Sequence, residues 1–202
     1  MLVGLVLLGF LDFIYRWWGS DILELILILS DPWERSDPWE RFDSLLFAQG
    51  RSTFDCGGHP DCFFLCVERC LENHGIRMSV CELRTALADR LASRGVPNNV
   101  DQFCRIVQEL QPHIRVTSWN DYLAALRNDL YAGELEIDEL HRWLMHEHTK
   151  MTWRVNLYSI GKKKETGEEF VVIRTTGEGE IPIDLAFASS HFRLCVPMYV
   201  SP

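Results

Sequence analysis

Cys62 stands between the turn-forming pair Pro60-Asp61 and the apolar run Phe63-Phe64-Leu65-Cys66-Val67, so a thiol sits where a turn hands over to a helix. The helix N-terminus carries unpaired backbone N–H groups and the positive end of the helix dipole. Both favour an anion, so a thiolate and a nucleophile are expected at Cys62. His191 opens a second apolar stretch, Phe192-Arg193-Leu194, near the far end of the chain. An imidazole carried to the thiol by the fold can take its proton, and thiol plus base is the smallest set for cysteine-dependent acyl transfer.

Other clusters in the sequence read as structure. Cys56, His59, Cys62 and Cys66 are close enough in sequence to surround a zinc ion. Zinc knuckles pair their ligands in two clusters, however, and the second is missing, so no metal site is expected. Cys62, Cys66 and Cys70 share one helical face, as core residues do. His141, His146 and His148 do not reproduce the His-Glu-x-x-His spacing of metalloproteases and read as a solvated helix end.

The elements that must position Cys62 and His191 follow from apolar periodicity. A helix from Phe63 ends at Asn73-His74-Gly75, and a second runs from about Ser79 to Ala92 before Gly95. A third starts near Asn99 or Val100, and two more cover Trp119–Leu130 and Glu136–Glu147. The period then changes to two. Trp153–Tyr158, Phe170–Arg174 and Phe192–Tyr199 read as strands, with a polar hairpin tip over Lys162–Glu169. Helices followed by a terminal antiparallel sheet make the class α+β.

Ahead of these elements lies a tandem hexapeptide, Ser-Asp-Pro-Trp-Glu-Arg, at 30–35 and 36–41. Each copy carries Asp as N-cap, Pro at the first helical position and Glu three residues after the cap. The second copy is predicted to open a helix through Phe47 and the first to form a turn. Residues 1–45 are read as an apolar segment and linker, and residues 46–202 as the domain. Met1–Leu11 and Ile22–Leu29 are each too short to span a bilayer, so membrane contact through residues 1–29 is the less favoured alternative.

A formal charge of −9 argues against nucleic acid as a partner and for one with a basic face. Seven cysteines cannot pair completely, which predicts free thiols in a reducing, cytoplasmic setting.

Four blocks carry a resemblance to a known family: Asp61-Cys62-Phe63-Phe64, Tyr131 to Leu140, Trp153 to Tyr158 and Ser190-His191-Phe192-Arg193-Leu194. In order and spacing they resemble the ovarian-tumour (OTU) family of deubiquitinating cysteine proteases, over about residues 50–200. The resemblance implies a papain-like α+β fold with helices packed on a small, mostly antiparallel sheet. It implies Cys62 as nucleophile, His191 as general base, no cofactor, and ubiquitin or ubiquitin-like conjugates as partners. The activity implied is hydrolysis of the isopeptide or peptide bond after ubiquitin's C-terminal glycine. An inactive ubiquitin-binding module and a polyprotein-processing protease are the alternatives.

The sequence departs from the family at two points. Where Asp-Gly is usual before the cysteine, this chain has His59-Pro60, and Pro60 has no N–H to give an oxyanion. Two residues after the histidine, where Asp or Asn is common, stands Arg193, which cannot accept from an imidazole N–H. The third catalytic group is therefore expected elsewhere. Asp55 is the candidate adopted and Asp184 the second. The acidic residues Asp121, Asp129, Glu134, Glu136, Asp138 and Glu139 read as a solvated face, or, under the resemblance, as a surface that steers a basic partner.

Overall fold

The computed structural model of the protein describes residues 37–198. The apolar segment 1–29, its suggested membrane role and the first hexapeptide lie outside these residues. Helix α1 (Pro38–Phe47) is the one predicted from the second hexapeptide, with Asp37 Oδ1 accepting from the Trp39 N–H at 3.0 Å. It buries Trp39, Phe42 and Leu46. It therefore runs across the boundary expected between residues 45 and 46, because its apolar face needs the sheet to cover it.

Strand β1 (Arg51–Phe54) follows, then helices α2 (Cys62–Asn73), α3 (Val80–Arg94), α4 (Val100–Leu110), α5 (Trp119–Asn128) and α6 (Glu134–Glu147). The chain closes with β2 (Trp153–Lys162), β3 (Glu169–Thr176), β4 (Ile181–Ala188) and β5 (His191–Pro197). Two further helices carry side-chain caps at their heads. Ser79 caps α3 with a reciprocal bond to Glu82, and the Ser118 side chain accepts from the Asp121 N–H at the head of α5.

The five strands order as β1-β5-β4-β2-β3, antiparallel except for the β2–β4 pair. Strand β4 and this parallel pairing were not legible in the sequence. Side chains alternate across the sheet with period two. Phe192 and Leu194 of β5, Ile183 and Leu185 of β4, and Trp153 and Val155 of β2 enter the main core with the buried faces of α2, α3, α5 and α6. On the opposite face Cys195, Ala186 and Tyr158 pack with Trp39, Phe42 and Leu46. Among the described residues the result is three layers, with α1 on one side of the sheet and the other helices on the opposite side.

Two of the six acidic residues expected on a solvated face, Glu136 and Glu139, are buried instead. Glu139 is fully buried between Arg90 (2.8 Å) and Arg94 (2.6 Å). Glu136 is buried, bonds the Tyr122 hydroxyl, and accepts from the Gly133 N–H at 2.6 Å. Glu134 pairs with Arg174, and Asp121 is engaged by Thr117 and Ser118. The surface expected around the middle helices thus loses Glu136 and Glu139 to the interior, while Asp129 stays exposed.

Candidate active site

Cys62 opens α2 and is 3% exposed. The residue before it, Asp61, is in the N-cap position but makes no side-chain cap bond. Its carboxylate is taken instead by Arg84 of α3, through Nε at 2.9 Å and a terminal nitrogen at 2.7 Å. Arg84 is 2% exposed and also donates to the carbonyls of Pro60, Leu126 and Leu130, with its guanidinium over the Phe64 ring. One buried cation thus ties the turn before Cys62 to α5 and to the segment leading into α6. This role is not legible in the sequence, since an arginine inside an amphipathic helix pattern reads as surface.

The loop between β1 and α2 contains Asp55, Gly57 and His59. Gly57 has φ +133°, a conformation open to glycine, and a Cβ there would lie 2.9 Å from the Leu65 side chain. Its N–H donates to Asp55 Oδ1 at 3.0 Å, which fixes the carboxylate at the end of β1.

His191 begins β5, directly after a two-residue turn in which Ser189 and Ser190 both have positive φ, 50° and 60°. Such a turn matches the twist of the flanking strands and sets Ala188 opposite His191. On the far side β5 pairs with β1, with Phe54 opposite Leu194. These registers bring the residue after Phe54 beside the first residues of β5.

There the expected residues meet. His191 Nε2 lies 3.1 Å from Asp55 Oδ1, and one donor atom each of His59, Cys62 and His191 lie within 4.8 Å of one another. The Phe192 N–H donates to Cys62 Sγ at 3.4 Å. The other imidazole nitrogen, Nδ1, is buried and makes no hydrogen bond. Asp184, the second candidate for the third group, is elsewhere engaged: it accepts from Arg51 at 2.8 Å and from Asn156 at 2.6 Å, on the α1 side of the sheet.

Burial raises the Asp55 carboxyl, but the Gly57 N–H, His191 and Arg193 outweigh it and hold the group below its ordinary range. An ionised Asp55 is acceptor-only, so the shared proton belongs to Nε2 and the neutral imidazole keeps its lone pair on Nδ1. Cys62 departs from expectation. Burial pushes its thiol up, by more than the N–H groups of Phe192, Phe63 and Cys62 itself pull it down. The helix terminus alone does not make a thiolate here, because the apolar core surrounds the sulfur.

Arg193 proves to serve the carboxylate. Its Nε forms an ion pair with Asp55 Oδ2 at 3.5 Å, and its guanidinium stacks over the Trp39 ring, 4.2 Å from the centroid. Trp39 also meets the His191 ring edge-on at 6.0 Å. The second hexapeptide therefore folds back onto the domain and underpins the site.

No protein-family profile matches the sequence, and no curated protein is significantly similar to it. Solved structures do match. The crystal structure of an OTU deubiquitinase from Wolbachia pipientis wMel bound to ubiquitin superposes with a TM-score of 0.51 at 13% identity, covering 74% of this chain and 98% of that one. The fold is OTU-like. The OTUD1 OTU domain matches with a TM-score of 0.49 at 16% identity, covering 79% of this chain and 94% of its own. The viral OTU domain protease from Dera Ghazi Khan virus gives 0.45 at 15%, covering 75% and 84%. Within the OTU-like fold, the Tyr131–Leu140 block contains the start of α6, and Trp153–Tyr158 forms the first part of β2.

Proposed function

We propose that the protein is an OTU-like cysteine hydrolase that cleaves the isopeptide or peptide bond after the C-terminal glycine of ubiquitin or a ubiquitin-like modifier. The observation that carries this reading is the convergence of Cys62, His191 and an ionised Asp55, with Nδ1 as the His191 nitrogen left for the thiol. Asp55 holds the Nε2–H, so Nδ1 takes the proton from Cys62 Sγ as the sulfur attacks the glycine carbonyl carbon. Because burial keeps the thiol protonated at rest, proton transfer and attack belong to one step. Collapse of the tetrahedral intermediate expels the amine, which takes the proton from Nδ1 and leaves a thioester. Water, deprotonated by Nδ1, then attacks the thioester and regenerates the thiol.

The oxyanion needs N–H donors. The Asp61 N–H is spent on the Gly58 carbonyl at 3.2 Å and the Gly57 N–H on Asp55. Pro60 has none, so the role falls to other N–H groups, the Cys62 N–H at the head of α2 first among them. The free thiols fit a reducing, intracellular setting.

The test is reaction with a ubiquitin probe bearing a C-terminal electrophile, alongside turnover of a ubiquitin-fluorophore. Labelling of Cys62 together with turnover is the expected result. Ubiquitin binding with neither labelling nor turnover would leave an inactive ubiquitin-binding module as the correct account.

A further inference from the structure

The loop residue His59 has no part in the hydrolytic scheme, yet it lies at the site. Its ring meets the His191 ring edge-on at 5.0 Å and the Tyr131 ring at 5.1 Å. The two imidazoles and the thiol converge so that one donor atom of each lies within 4.8 Å of the others. We propose that His59, Cys62 and His191 form a zinc site that silences the hydrolase when the ion is bound.

The donor set is that of zinc: two imidazole nitrogens and one thiolate sulfur. A tetrahedral ion with ligands at about 2.0–2.3 Å sets its donors about 3.3–3.7 Å apart. The three atoms thus need to close by roughly 1 Å, and the exposed ring of His59 is the one with room to move. Three protein ligands leave the fourth position to water.

Two independent features support the ion. The first is His191 Nδ1, a buried nitrogen with no hydrogen-bond partner, which the structure leaves as an uncommitted ligand. The second is Asp55, which binds the opposite nitrogen at 3.1 Å. A carboxylate on the far nitrogen is the usual partner of a metal-bound histidine, because it fixes the tautomer and raises ligand basicity. Zinc and the thiol proton then compete for the same two atoms. The bound ion displaces the Cys62 proton to water and occupies both the sulfur and Nδ1, so nucleophile and base are lost together. This set differs from the Cys56, His59, Cys62, Cys66 grouping that the sequence suggests, because folding turns Cys66 into the core and brings His191 to the loop.

Silencing rests on the proposed hydrolase activity, whereas binding of the ion does not, and the experiment reads them separately. Cobalt(II), a spectroscopic stand-in for zinc, is titrated into the full chain and the thiolate-to-cobalt charge-transfer absorption is followed, with zinc then added to displace it. One equivalent should give the band, and Cys62→Ala should abolish it. His59→Phe keeps a ring against Tyr131 but has no donor, and it should weaken binding by at least the roughly 10- to 100-fold that loss of an outer partner costs. In the ubiquitin-fluorophore assay, zinc should stop turnover and a chelator restore it. His59→Phe should keep the zinc-free rate and resist zinc by the same factor. Absence of the band, its survival in Cys62→Ala, or unchanged affinity in both His59→Phe and His59→Ala would overturn the site. A protein that shows the Cys62-dependent, His59-dependent band but never turns over supports the site and refutes the hydrolase. Turnover without such a band does the reverse.

Discussion

Asp55 Oδ1 lies 3.1 Å from His191 Nε2, although 136 positions of chain separate the two residues. The antiparallel pairing of β1 with β5 produces this contact, since Phe54 opposite Leu194 leaves Asp55 at the open end of the ladder beside the start of β5. Asp55→Ala should lower turnover of a ubiquitin-fluorophore by about 10²-fold or more, in line with the loss of a triad carboxylate. Ubiquitin binding, measured by calorimetry, should be retained. An unchanged rate would mean that His191 and Cys62 work as a dyad.

Arg193 is expected to be a positioning residue that acts through Asp55. Arg193→Ala should reduce kcat about tenfold with KM little changed, and Arg193→Lys, which keeps the charge but loses the flat stack on Trp39, should recover only part of it. The decisive comparison is the double variant. If Arg193 acts through Asp55, Asp55→Ala with Arg193→Ala should be no slower than Asp55→Ala alone. Additive losses would assign Arg193 to general stability.

Glu136 gives the fold a pH dependence of its own. Burial raises its carboxyl from 4.5 to about 7, against the opposing pull of the Gly133 N–H and Arg84. Between those values the folded state holds a proton that the unfolded chain has released, so the contribution of this group to stability falls as pH rises from about 4.5 to 7. At 1.36 kcal/mol per unit the loss is roughly 3 kcal/mol. Glu136→Gln should remove the slope and raise the melting temperature relative to the parent at pH 7.5, with the two proteins converging near pH 4.5. A variant less stable at every pH would show that the carboxylate form is needed by Tyr122.

The hairpin that presents His191 stores strain. Ser189 and Ser190 both adopt positive φ, where residues other than glycine, Asn and Asp are disfavoured by about 1–2 kcal/mol each. Ser189→Asn with Ser190→Gly should stabilise the protein by on the order of 1 kcal/mol in a urea melt, with His191 kept in register by Ala188. Loss of stability would mean that the serine hydroxyls make bonds worth more than the strain.

Much of this molecule was legible in the sequence because local rules act over a few residues. Apolar spacing marked α2 through α6, the hexapeptide marked α1 by its cap, and the position of Cys62 before an apolar run marked the head of α2. The local turn residues placed β2 and β3 on either side of the Lys162–Glu169 tip. Cys62, His191 and Asp55 stood out as candidates by their residue types and surroundings and by the order of four short blocks, and the fold brings the three together.

Only the tertiary structure shows which of Asp55 and Asp184 lies beside His191. That placement depends on which strands pair and on which face each residue falls: Asp184 lies on the α1 side with Arg51, and Asp55 at the ladder end with His191. The fold likewise decided Glu136 and Glu139, which read as part of a solvated face and are buried against Tyr122 and against Arg90 and Arg94. The reactivity of Cys62 was likewise decided in three dimensions. A helix terminus is a local property and favours the anion, whereas burial is set by every layer packed around the sulfur, and in this fold burial outweighs it.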